Sequence, residues 1–67
     1  EELTPTEQIV LRMVVGAMTN KEIAFAMDVS ENTVKTHLKN IFEKLGVSDR
    51  TAATTTAIKR GLVRMDV

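Results

Sequence analysis

Lys35 and Lys39 stand four residues apart with Thr36 beside them, in a stretch patterned as a helix. Side chains at i and i+4 share one helix face. Ammonium groups so placed can donate to guanine O6 and N7 or to phosphate oxygens. Thr36 adds a methyl suited to thymine and a hydroxyl suited to a phosphate. Spacing alone describes a pair of solvated lysines equally well, so the flanking sequence has to decide.

Other residues carry chemistry of the same kind. Asn20 and Lys21 open a second helical stretch, where free backbone N–H groups and the helix dipole favour an anion. The plain alternative for Asn20 is a preference for helix starts. His37 falls one turn after Val34, on the margin between apolar and polar faces. It is read as a wedge residue within reach of a phosphate, ahead of a pH switch or a ligand. Arg50 can reach a phosphate or pair with an acid such as Glu7 or Glu43, and both alternatives stand. Phe25 lies off the apolar face and is read as a scattered surface residue, with a docking point as the sharper alternative. No paired-carboxylate cleft, nucleophile–base set or glycine-rich phosphate loop is present, so an enzyme is not expected. One histidine and no cysteine give no metal set, and no cofactor is expected.

The elements that must hold these side chains are marked at both ends. Thr4-Pro5-Thr6-Glu7 combines an N-cap threonine, proline at the first helical position and glutamate at the third. Thr19-Asn20-Lys21-Glu22 repeats the capping spacing, and Ser30 and Asp49 can cap two further helices. Gly16, Gly46 and Gly61 follow three of the helices, where glycine is expected to take the left-handed conformation. The reading is four helices, at 5–15, 20–27, 31–45 and 50–60, in a single all-α domain over 1–67.

Apolar residues recur at helical spacing within these limits. Val10, Leu11, Met13 and Val14 face inward in the first helix, and Ile23, Ala24 and Met27 in the second. Val34, Leu38, Ile41 and Leu45 do so in the third. Helices 2 and 3 are separated only by Asp28, Val29 and Ser30, a turn short enough to force a helix-turn-helix crossing. Ala24 lets the two helices approach, Val29 is expected to plug the turn into the core, and Asp28 is the expected left-handed residue.

Charge argues in two directions. Nine Lys and Arg balance nine Asp and Glu, so strong non-specific attraction to nucleic acid is not expected. The distribution is uneven, however: positions 32–42 hold two lysines, one histidine and no acid, while Glu1, Glu2 and Glu7 gather at the start. No apolar run approaches the roughly 20 residues of a membrane span and no signal peptide opens the chain. The default is a soluble cytoplasmic domain without membrane contact, near the lower size limit for a self-supporting core.

Taken together, the chain resembles the LuxR/NarL-type (GerE-like) helix-turn-helix DNA-binding domain of bacterial transcription regulators. The resemblance rests on Leu3-Thr4-Pro5 with Glu7, Leu11 and Gly16, and then on Asn20-Lys21-Glu22-Ile23-Ala24. It continues through Val29-Ser30, Thr33-Val34-Lys35 with His37, and Lys44-Leu45-Gly46-Val47. It closes on Arg50-Thr51 with Ala53, and Arg60-Gly61-Leu62.

The resemblance implies that helix 3 enters the major groove with Lys35, Thr36 and Lys39 at base-facing positions. It implies that Asn20, Lys21, Thr33 and Arg50 approach the phosphate backbone. It also implies that helix 4, through Thr51, Thr54, Thr55 and Ile58, pairs two copies on a two-fold symmetric site. The partners implied are double-stranded DNA, a second copy of the chain and RNA polymerase. The setting implied is the output domain of a regulator, two-component response regulators included. An upstream receiver or ligand-binding domain lies outside what this stretch can report.

The sequence departs from the family pattern at Asp28, where glycine is usual, at Phe25, where a polar residue is usual, and at Thr54-Thr55-Thr56, where aliphatic residues are common. Two other readings compete. The fourth region of a sigma factor shares the Leu-Thr opening and the Glu-Ile-Ala helix, yet usually lacks the helix after Arg50. A helical protein-interaction module that has lost DNA binding would suit the neutral charge.

Overall fold

The computed structural model describes residues 2–63 and places four α-helices, with no strand among those residues. They are α1 (Pro5–Val15), α2 (Asn20–Met27), α3 (Glu31–Leu45) and α4 (Arg50–Lys59). The expected limits hold at each end but one: α4 stops at Lys59, and Arg60 is its C-cap.

Each start is satisfied by its own side chains. Thr4 and Glu7 bond reciprocally to each other's backbone N–H, and Thr19 and Glu22 do the same. Ser30 accepts from the Thr33 N–H and Asp49 from the Ala52 N–H. These bonds pair donors that the first helical turn cannot pair internally, each contributing about 1 kcal/mol.

All four helices end on the same device, in which two backbone N–H groups fold back onto carbonyls of the last turn. In α3 the pair is Val47 to Phe42 at 2.9 Å and Gly46 to Glu43 at 3.2 Å; in α4 it is Leu62 to Ala57 and Gly61 to Ile58. Gly46 and Gly61 take the left-handed conformation this requires, at φ 71° and 68°. After α1 the expectation is corrected. Gly16 sits at φ −74°, and Ala17 is the left-handed residue, at φ 64°. The ring of bonds from Met18 to Met13 and from Ala17 to Val14 sets that position one residue later than the sequence suggested. Asp28 takes the left-handed position after α2 at φ 58°, as expected.

α3 is the hub, packing against α1, α2 and α4, while α1 also packs on α4. Its inward stripe, Val34, Leu38, Ile41 and Leu45, is buried against Val10, Leu11 and Val14 of α1 and Ile23 and Ala24 of α2. Burying a Val, Leu or Ile contributes roughly 1.5–3 kcal/mol. α4 contributes only Ala53 and Ala57, both fully buried, and Val63 follows them into the core. Val29 does not join it: this side chain remains 37% exposed. Its backbone N–H is turned onto the Ala24 carbonyl to close α2, which leaves the side chain at the rim of the turn.

Among the described residues one polar residue is buried with this core. Glu7, 5% exposed, receives the Lys44 ammonium at 2.7 Å on the same Oε1 that caps the Thr4 N–H. The Lys44 hydrogen bond, and next the Thr4 N–H, hold its carboxyl below the ordinary value of 4.5, against burial, which raises it. This pair ties the last turn of α3 to the first turn of α1. It also answers the question about Glu7: its cation is Lys44, not Arg50.

Candidate nucleic-acid interface

With four large residues of α3 buried, the opposite face is fixed in rotation. Lys35, Thr36 and Lys39 are all exposed there, in line with Asn32 and Asn40. Among the described residues the one ion pair is Lys44–Glu7. Lys35 and Lys39 therefore keep their charge free, although Glu31 and Glu43 sit one turn away on either side. The Thr36 hydroxyl donates to the Asn32 carbonyl at 3.1 Å. That bond occupies the hydroxyl proton, which leaves the methyl as the uncommitted half of the side chain. Asn32 and Asn40 were not singled out from sequence, although an exposed amide can pair with an adenine edge; their shared face with Lys35 and Lys39 was readable from helical spacing.

Thr33 and His37 lie half-buried along one edge of this face. The Thr33 hydroxyl sits 3.0 Å from that of Ser30, inside the α3 cap. His37 occupies the margin expected from its spacing. Lys21 is exposed and Asn20 half-buried at the start of α2, and both line a shallow depression with Val14, Met18, Arg50 and Thr54.

Arg50 is placed differently from either acid pairing. Its guanidinium donates to Asn20 Oδ1 at 2.8 Å and to the Met18 carbonyl. It links the start of α4 to the start of α2, and neither Glu7 nor Glu43 is its partner. No signal in the sequence joins residues 20 and 50, because the contact exists only once α1 and α3 have brought the two helix starts together.

On α4, Thr51, Thr55 and Ile58 are exposed, opposite buried Ala53 and Ala57. The Thr55 hydroxyl donates back to the Thr51 carbonyl at 3.0 Å. Thr54 is half-buried at the edge of the depression that Asn20 and Arg50 line. Phe25, at 89% exposure, projects from α2 away from the core. Among the described residues no three His, Asp or Glu side chains gather as a metal site, and no helix is long and apolar enough to cross a membrane.

A short helix, a three-residue turn and a longer helix with a free polar face, braced by one helix before and one after, define a helix-turn-helix domain. The model of the luxR family of bacterial regulatory proteins matches residues 1–57, and the chain belongs to that family. It is 43% identical over 65 residues to the transcriptional regulatory protein YdfI of Bacillus subtilis, covering 97% of this chain and 30% of that protein. A nitrate/nitrite response regulator homologue of Haemophilus influenzae is 44% identical over 54 residues, 81% of this chain and 26% of that protein. The chain thus spans less than a third of the length of these relatives.

Solved structures agree on the fold. The transcription factor GerE superposes with a TM-score of 0.86 at 33% identity, covering 96% of both chains. The response regulator ChrA of a heme-sensing two-component system gives 0.90 at 40% identity, over 94% of this chain and 31% of that one. The DNA-binding domain of the response regulator ComA, solved in complex with the anti-activator RapF, gives 0.83 at 40% identity.

Proposed function

We propose that this domain binds double-stranded DNA sequence-specifically, as the output module of a bacterial transcription regulator. The observation that carries the reading is the exposed face of α3, where Lys35, Thr36 and Lys39 lie in the open and neither lysine forms an ion pair among the described residues. In the major groove the lysines meet guanine O6 and N7 and the methyl meets thymine. Asn20, Lys21, Thr33 and His37 then fix register on phosphates, with Arg50 in the same region. Two copies paired through Thr51, Thr54, Thr55 and Ile58 of α4 would read two half-sites about one helical turn apart. The kinship with response regulators favours a two-component setting and a cytoplasmic location, with RNA polymerase as a downstream partner.

The test is fluorescence anisotropy with a duplex selected from a randomised pool and with its scrambled counterpart. Specific binding predicts affinity at least about a thousandfold higher for the selected duplex at physiological salt. Equal affinity for both sinks the specificity claim. Lys35→Ala is expected to lower discrimination, and Lys21→Ala to weaken binding to every sequence alike.

A further inference from the structure

Asn20 and Arg50 look, from sequence, like two independent phosphate ligands. The structure instead joins them, with Arg50 Nη1 donating to Asn20 Oδ1 at 2.8 Å and Nη2 donating to the Met18 carbonyl. Both terminal nitrogens of the guanidinium are thereby engaged within the domain, across 30 and 32 positions of sequence.

This contact decides the orientation of the Asn20 amide. Arginine is a donor only, so the Asn20 atom that faces it is the oxygen. The Nδ2 group, with its two protons, is consequently turned away from Arg50. Asn20 is half-buried and lines a shallow depression together with exposed Lys21, Glu31 and Arg50. A carboxamide free to rotate offers oxygen and nitrogen in turn. One held by Arg50 offers a hydrogen-bond donor alone, the only half of an amide that suits a phosphate oxygen.

We propose that Arg50 is a positioning residue for DNA binding: it holds the Asn20 carboxamide with Nδ2 toward a backbone phosphate, and it does not bind that phosphate itself. The proposal rests on the DNA-binding reading above and adds a division of labour within it. Asn20 and Lys21 touch the duplex, while Arg50 acts through Asn20.

A double-mutant cycle on the duplex bound by the wild-type domain separates the alternatives. Affinity and its salt dependence are measured for wild type, Asn20→Ala, Arg50→Ala and the double variant, with thermal melts to establish folding. A positioning role predicts that Arg50→Ala weakens binding about tenfold, the scale of one lost charge-assisted hydrogen bond. It predicts an unchanged slope of log K against log salt, and no further loss when Arg50→Ala is made on Asn20→Ala. A direct phosphate contact predicts additive losses and a slope reduced by about 0.9, and that result overturns the proposal. So does Arg50→Ala binding like wild type. A purely structural role also overturns it, through an Arg50→Ala loss that persists in the Asn20→Ala background.

Should Arg50→Ala fail to fold, Arg50→Met carries the same cycle. Its thioether end keeps most of the length of the side chain yet has no N–H to donate to Asn20 or Met18, so the proposal predicts a loss that Asn20→Ala abolishes. Wild-type affinity in Arg50→Met overturns it. A wild-type domain that binds no duplex removes the DNA-binding reading as well, whereas additive losses remove the positioning role alone.

Discussion

α3 and α4 are neighbours in the same small domain, yet they are held by different means. α3 buries Val34, Leu38, Ile41 and Leu45 and is pinned at its end by the Lys44–Glu7 pair. α4 buries two alanines, and its start is tied down by Arg50. Large interlocking side chains fix the rotation of a helix about its own axis, since any turn of it empties one pocket and overfills another. Alanines fix mainly the distance of approach. The outward face of α3 is therefore the rigid surface of this molecule, and the Thr-rich face of α4 is the more compliant one.

The largest test of that contrast is Ile41→Ala. Ile41 is fully buried, and truncation there costs about 2–5 kcal/mol, comparable with the whole stability of so small a domain. Circular dichroism at 25 °C is expected to show a largely unfolded chain. A cooperative melt shifted by only a few degrees would mean that α3 is not the hub.

Next in size is the pair that anchors α3. Glu7→Gln removes a charge-assisted hydrogen bond to Lys44 and is expected to cost about 1.5–3 kcal/mol at neutral pH. Because the folded carboxyl titrates below its ordinary value of 4.5, its contribution is full above that value. It is lost as pH falls through the lower folded value. The wild-type melting temperature should therefore drop on acidification below about 4.5, and the Glu7→Gln variant should lose less over the same range. Parallel pH profiles would show that the pair contributes nothing.

For α4 the corresponding test is overpacking. Ala57→Val adds two methyl groups at a fully buried position and is expected to cost about 1–3 kcal/mol. Amide hydrogen exchange should quicken in α4 while α3 keeps its protection. Equal loss in both helices would show that they unfold as one unit. The smallest effect has the opposite sign. Ala17 stands at φ 64°, and Ala17→Gly should raise stability by up to about 1 kcal/mol, read as a shift in the urea midpoint.

The contrast also shows what could be read in advance. Helix limits were legible because each start and stop is encoded within four or five residues, in Thr4 with Glu7, Thr19 with Glu22, Ser30 and Asp49. The core of α3 was legible because its apolar period is unbroken. The core of α4 was not named, since Ala53 and Ala57 differ too little from the threonines around them; their spacing of four was the available signal. Val29 was placed inside because it is apolar, whereas the bond that closes α2 fixes its backbone and leaves its side chain at the rim. Residue type alone points to Gly16 as the left-handed residue, whereas the geometry of the helix end gives that role to Ala17. Lys44–Glu7 and Arg50–Asn20 were illegible for a common reason: each joins residues at least 30 positions apart, and no local pattern records that. At the candidate interface, the exposure of Lys35, Thr36 and Lys39 followed from spacing, but the commitment of the Thr36 hydroxyl to Asn32 did not.

The placement of the two phenylalanines has an optical consequence. The chain contains neither tryptophan nor tyrosine, so the domain is almost dark to near-ultraviolet fluorescence. Phe42 packs half-buried against the core, while Phe25 stands 89% exposed on α2. Phe42→Trp would give an emission that reports the folded interior, and Phe25→Trp one that reports whatever approaches the outside. A single chain thus offers two positions for separate lamps, one reading its integrity and the other its encounters.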